Sequence, residues 1–331
     1  MCGFSSFDNI KNSSKLKEGK VKGLELSKLY YEIYGKPMIE QRFSQYKEDI
    51  ATGLVGEGSE CFGFDDEYSK DHDFGPGFCI WLPRSLYMEI GESLQRAYNE
   101  LPSNFMGYSS YEKLVQRRVG VFDIENFYNK YTNCGAFPKN IVEWMKIPER
   151  FLATAVNGEV FFDAKGDFSR AREILKSFYP DDVLKKKLAS RLANMAQTGQ
   201  YNYVRCARRE DFAAAYLCFS EFVKLSVSAV FLLNREYMPF YKWAFRKARE
   251  LKNLKEVIEK LEELISIPDN PDTYFIKFDN IEFICKLIAR ESCRSFNYSL
   301  EDNFLETHAK VLMSQIKDER IAALHIMADF D

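Results

Sequence analysis

Apolar positions recur at helical spacing from Leu24 to Tyr46 and predict a helix, broken at Tyr34–Pro37 where Gly35 and Pro37 interrupt regular structure. Ile50–Gly56 is a short apolar run ending in glycine and suits a buried strand, as does Cys79–Leu82. Pro83–Leu101 opens on proline and continues at helical spacing, which predicts a helix. Arg118–Ile124 alternates and is β-branched, and Gly158–Asp163 has the same character, giving a third and a fourth strand. From Phe168 onward helical periodicity dominates and strand signals nearly vanish. The pattern predicts a first half, residues 1–165, that mixes strands and helices in α/β or α+β fashion, then an all-α helical bundle over residues 166–331.

Composition narrows the class. The 331 residues include 28 Phe and 19 Tyr, and 46% are apolar, so the chain can bury a sizeable core. Lys and Arg number 46 against 49 Asp and Glu, a net charge of −3 that offers no global attraction to nucleic acid or anionic lipid. The most apolar run, Ser226–Leu233, is too short to cross a bilayer, and the N-terminus lacks a signal-like apolar core. A cytoplasmic protein is expected. Eight cysteines occur with no CxxC pair, which argues for reduced thiols and against structural zinc.

The chemistry concentrates in Gly53–Phe78, GLVGEGSECFGFDDEYSKDHDFGPGF. Gly58-Ser59 follows a strand and precedes a segment that can begin a helix. Backbone amides and a serine hydroxyl there suit a phosphate, although a plain N-cap serine has the same signature. Asp71 and Asp73 flank His72. In extended structure both carboxylates share one face, with Cβ atoms roughly 6–7 Å apart, and can converge on divalent cations such as Mg²⁺ or Mn²⁺. A solvated acidic loop is the alternative, since Asp65, Asp66 and Glu67 lie nearby.

Strand, Gly-Ser, turn and Asp-x-Asp together resemble the signature of the nucleotidyltransferase superfamily, the fold of kanamycin nucleotidyltransferase and DNA polymerase beta. Within it, GLVGEGSECFGFDDEYSKDHDFGPGFCIWL, NGEVFFDAKGDFSRAREIL and AVFLLNREYMPFYKW resemble an uncharacterised bacterial family of nucleotidyltransferase-like proteins, a domain of unknown function. That likeness covers most of Leu24 to about Ile265. It implies an α+β N-terminal domain with a small mixed sheet, in which Gly58 and Ser59 grip a triphosphate and Asp71 and Asp73 hold metal. A third acid is expected on a later strand, with Asp123 preferred over Glu125; a strand-end acid capping the next helix is the alternative.

One departure stands out. Metal-binding strands of the superfamily run on apolar past the second Asp, whereas FGPGF intervenes here. Either a bulge sits at Gly75–Gly77, or the strand starts later and the aspartates hang on a loop. From the helical half, Asn202 and Arg205, with Tyr241 and Lys242, are candidates to contact the nucleotide, set against an ordinary solvated face. His308 and His325 are expected to be ordinary packing or surface residues.

The expected activity is Mg²⁺-dependent transfer of a nucleoside monophosphate from an NTP to a hydroxyl or phosphate acceptor, releasing pyrophosphate. The acceptor, expected between the two halves, is more readily a small molecule than nucleic acid. The rivals are a non-catalytic nucleotide-binding sensor and a toxin that modifies tRNA ends.

Overall fold

The computed structural model describes residues 21–70, 74–109 and 118–330. They form two units: one runs to Phe137 and resumes over Thr154–Lys176, and the other comprises Pro138–Ala153 and the chain from Ser177.

The first unit opens with α1 (Gly23–Tyr30), a π-helical turn (Tyr31–Gly35) and α2 (Lys36–Arg42). The expected break at Tyr34–Pro37 is therefore a widened turn through which the helix continues. Pro37 stands two residues after that widened turn; its missing N–H interrupts the helical ladder there without ending the helix. A side chain at position 35 would overlap the Phe78 ring, so glycine there is a packing requirement rather than a stop signal.

A 3₁₀ turn (Ser44–Asp49) leads into β1 (Ala51–Leu54). Then come β2 (Cys79–Leu82), α3 (Arg84–Asn99), a small ribbon of β3 (Asn104–Phe105) and β4 (Tyr108–Ser109), β5 (Gly120–Asp123) and α4 (Ile124–Thr132). In the second unit the chain forms α5 (Ile141–Met145) and begins α6 (Glu149–Ala155). It returns to the first as β6 (Glu159–Phe162) and α7 (Asp167–Lys176).

The sheet order is β5-β2-β1-β6, with β1 antiparallel to both neighbours and β2 parallel to β5. Gly53 pairs with Cys79, Cys79 with Gly120, and Leu82 with Asp123. Every residue of β1 and β2 is buried, which is why these strands read as unbroken apolar runs. One face packs Leu26, Tyr30, Phe78, Ile80 and Leu94. On the other, the Trp81 ring stacks on Phe168 of α7 with centroids 3.7 Å apart. That stacking ties α7 to the sheet, so the expected division at 165/166 falls inside the first unit. Periodicity identified α7 as a helix without saying which core it serves.

In the second unit α8 (Asp181–Met195) runs into a π-helical stretch (Ala196–Tyr203) and α9 (Val204–Arg208). There follow α10 (Phe212–Leu233), α11 (Tyr241–Ala248), α12 (Lys255–Ile265), α13 (Tyr274–Phe296), α14 (Leu305–Ser314) and α15 (Glu319–Ala322). The mixed sheet and the all-helical region match the expected fold class.

The apolar run Ser226–Leu233 belongs to the 22-residue α10, which is long and apolar enough to cross a membrane. Two thirds of its most apolar stretch is buried inside the unit, as befits a core helix. His308 is a packing residue as expected. It is buried, with Nδ1 2.9 Å from the Tyr298 hydroxyl and Nε2 2.6 Å from the Asp302 carbonyl.

Candidate functional site

β1 delivers the chain to a turn over Val55–Ser59 that is held from below by the approach to β6. Asn157 clamps Gly56 from both sides: its Oδ1 accepts from the Gly56 amide at 2.9 Å and its Nδ2 donates to the Gly56 carbonyl at 2.8 Å. The Gly158 amide donates to the Cys61 carbonyl at 2.8 Å, and Arg172 Nη2 donates to the Gly158 carbonyl at 3.1 Å. The Asn157 and Gly158 contacts join residues about a hundred positions apart and fix the turn to the approach of β6.

Gly58 sits at φ 123°, a conformation essentially reserved for glycine. The segment after Ser59 is only a three-residue 3₁₀ turn, Glu60–Phe62, so the expected helix and its macrodipole are missing. Ser59 caps nothing with its side chain. Its carbonyl accepts from the Phe62 and Phe64 amides, at 3.1 and 2.8 Å. Among the described residues, no group pairs with the Gly58 amide, the Ser59 amide or the Ser59 hydroxyl. Gly58 and Ser59 are themselves half-buried.

Charged groups also crowd this turn. Arg118 donates to the Glu57 carbonyl through Nε at 3.1 Å and through Nη2, and Nη2 also donates to Glu60 Oε1. This ion pair is well shielded, with the Arg118 and Glu60 side chains 15% and 6% exposed. Glu57 in turn accepts from Lys130 at 2.5 Å and from the Tyr131 hydroxyl at 3.1 Å. Burial first, and the Glu57 charge second, push the Tyr131 hydroxyl far above the usual phenol range, so it stays a donor. Glu57, Arg118, Asp123, Asn126, Lys130 and Tyr131 help line an open cleft of about 160 Å³. That is below the ~300 Å³ at which pockets for whole small molecules begin.

Asp71, His72 and Asp73 lie outside the described residues. The chain resumes at Phe74, and the β ladder begins only at Cys79, after the FGPGF interruption. Because β1 and β2 are antiparallel with Gly53 opposite Cys79, the end of β1 and the start of β2 lie at the same end of the sheet. The Gly58-Ser59 turn and the entry to β2 are therefore neighbours.

Asp123 lies at the other end of β2, opposite Leu82, three residues or ~10 Å along the strand from Cys79. Its side chain is buried and fully engaged. Oδ1 accepts from the Glu125 and Asn126 amides at 2.8 and 3.3 Å, capping α4, and Oδ2 faces Arg84 Nη1 at 3.2 Å. A carboxylate so committed to an N-cap and an arginine does not fit a metal ligand. Glu125 is exposed on α4. Among the described residues no three His, Cys, Asp or Glu side chains gather as a metal centre.

Asn202, Arg205, Tyr241 and Lys242 belong to the second unit. Asn202 is half-buried, and the Arg205 guanidinium lies 3.5 Å from the Tyr201 ring centroid. Tyr241 is exposed beside Phe240, and Lys242 Nζ lies 4.9 Å from the Trp243 ring centroid. Sequence reasoning missed Asn157, Arg118 and Glu60. The only signal was the Asn157-Gly158 turn pair at the head of a strand.

No curated protein matches the sequence. The crystal structure of a nucleotidyltransferase-like protein from Exiguobacterium sibiricum aligns with 85% of this chain and 90% of its own, at a TM-score of 0.39 and 9% identity. A family model matches residues 144–244, a span that holds Asn157, Asn202, Arg205, Tyr241 and Lys242 but neither the Gly58-Ser59 turn nor Asp71 and Asp73. Over that span the chain matches a domain of unknown function, DUF4037, and that description assigns it no activity.

Proposed function

We propose that the protein binds a nucleoside triphosphate through the Gly58-Ser59 turn and transfers its nucleoside monophosphate to an acceptor hydroxyl or phosphate, releasing pyrophosphate. The observation that carries this reading is the turn itself. The Gly58 and Ser59 amides and the Ser59 hydroxyl face no described partner, while Arg118 stands beside them. Fixed donors beside a cation suit a polyphosphate, whose transferring charge they stabilise without reorganisation.

The reading assigns Mg²⁺ to Asp71 and Asp73, where it would neutralise phosphate charge. Asp123 stays in its capping role. The acceptor is a small molecule, in keeping with the net charge of −3. Asn202, Arg205, Tyr241 and Lys242 are assigned to nucleotide or acceptor recognition, and the protein to the cytoplasm.

Pyrophosphate release is to be measured with each NTP and Mg²⁺ or Mn²⁺ against small alcohols, aminoglycosides and total tRNA. Asp71→Asn/Asp73→Asn should abolish release; equal signal from variant and parent removes these residues from the mechanism. One observation favours a second reading, a nucleotide-binding module without turnover: Asp123, the preferred third acid, is committed to an N-cap and to Arg84. NTP binding without pyrophosphate release under any condition supports it. Release that requires tRNA, with growth arrest on expression, supports a tRNA-modifying toxin instead.

A further inference from the structure

Arg118 occupies the space that the sequence reserved for phosphate. A methyl group at Gly58 would overlap both the Arg118 guanidinium and the Glu60 carboxylate. Glycine at this position therefore admits an ion pair over the backbone, and an anion arriving on that face meets the guanidinium instead of a bare Cα. The open amides of Gly58 and Ser59 complete the surroundings of such an anion.

We infer that Arg118 is a direct polyphosphate ligand of this turn and that Glu60 competes with the incoming anion for its guanidinium. This rests on the reading of the turn as a triphosphate site. The planar guanidinium offers a fork of donors matched to phosphate oxygens. In the structure part of that fork is committed to Glu60 Oε1 and to the Glu57 carbonyl. A triphosphate oxygen that takes Nη2 displaces Glu60 Oε1 from it, and the released carboxylate adds negative charge beside the anion. Glu60 thereby tunes affinity downward.

The two partners of one ion pair then have opposite effects on ligand binding, which a purely structural pair would not show. Binding of tripolyphosphate and of ATP is measured by calorimetry on the full chain, for the parent, Arg118→Gln, Arg118→Lys and Glu60→Gln. Arg118→Gln should weaken both ligands at least tenfold, the loss expected for a charge-assisted hydrogen bond. Arg118→Lys should recover part of the affinity, and Glu60→Gln should tighten binding several-fold. Unchanged or weaker binding by Glu60→Gln overturns the inference, even if Arg118→Gln fails to fold. A parent that binds ATP and tripolyphosphate, with all variants equal to it, overturns the role of Arg118 and leaves the triphosphate reading standing. A parent that binds neither ligand removes both.

Discussion

The Asn157 clamp is the most direct handle on the turn. Its carboxamide makes two hydrogen bonds to the Gly56 peptide, at 2.9 and 2.8 Å, both part-buried. Each intramolecular hydrogen bond contributes about 1 kcal/mol net, and somewhat more where its loss strands a group away from water. Asn157→Ala removes both partners of Gly56, whose φ of 121° leaves it few other ways to satisfy its backbone. The expected loss is about 2–3 kcal/mol. In a unit of this size that lowers the melting temperature by about 4–12 °C. Asn157→Asp is the sharper variant. It keeps an acceptor for the Gly56 amide but sets a carboxylate oxygen against the Gly56 carbonyl, so it should lose at least as much as alanine. Urea unfolding followed by circular dichroism gives the stabilities, and tripolyphosphate titration of the same samples reports the turn. A stability change under 0.5 kcal/mol for Asn157→Ala would show that the contacts from Gly158 and Arg172 suffice, and the clamp argument would be wrong.

Three further outcomes follow from other sites. Glu149 is buried, accepting from Arg191 Nη2 at 3.0 Å and Ser228 Oγ at 2.7 Å, so Glu149→Ala should destabilise the second unit by about 3 kcal/mol; because Asp329 also pairs with Arg191, a loss under 1 kcal/mol in urea unfolding would mean that Asp329 alone satisfies the guanidinium. Lys186 is fully buried, donating to the Ile326 and Ala328 carbonyls, and burial pushes its pKa down to about 8 from an unfolded value of 10.5. Above pH 8 the folded chain sheds a proton that the unfolded chain keeps, so this group raises stability between pH 8 and pH 10, by about 2–3 kcal/mol; Lys186→Met should flatten that rise, and parallel pH profiles for parent and variant would refute the assignment. Asp123→Asn retains a good N-cap and loses only an ion pair to the largely exposed Arg84, so it should change stability by less than 1 kcal/mol, while Asp123→Ala costs about 1–2 kcal/mol by thermal melt; a larger loss for Asn than for Ala would contradict the capping role.

The elements were legible wherever burial imposed one period. β1 and β2, buried on both faces, stood out as apolar runs, and β2 was bounded to the residue because Pro83 and the FGPGF segment flank it. The helices of the second unit were legible from their apolar stripes. What could not be read was partnership. The periodicity of Phe168–Leu175 identifies a helix, but only the Trp81 ring shows that it packs on the sheet. Gly35 reads as a stop signal, and only the Phe78 ring explains why it is small. Lys185, Lys186 and Lys187 look like a solvated run, yet all three are buried; Lys185 pairs with Asp181 one turn back, while Lys186 and Lys187 reach Ala328 and Asp329 near the end of the described chain.

The site divides along the same line. Gly58 and Ser59 drew notice because glycine and serine after a strand have few uses, and the structure leaves their amides and the Ser59 hydroxyl without a partner among the described residues. The pairing of Asp71 with Asp73 was argued from strand alternation, and the ladder starts only at Cys79, so alternation within β2 says nothing about which way those carboxylates turn. The groups that define the turn chemically are Arg118, Glu60 and Asn157. Each is a single polar residue in a connection, and each acquires meaning only from sheet register: Gly53 opposite Cys79, Cys79 opposite Gly120, Leu54 opposite Glu159. That register brings the residues just before β5 and β6 to the end of the sheet where β1 hands over to the turn. Arg118 and Asn157 stand two residues before those strands begin, within reach of the turn's carbonyls. Any chain with this strand order must fill those two positions, and the hydrogen-bonding character of what fills them decides whether the turn can hold an anion.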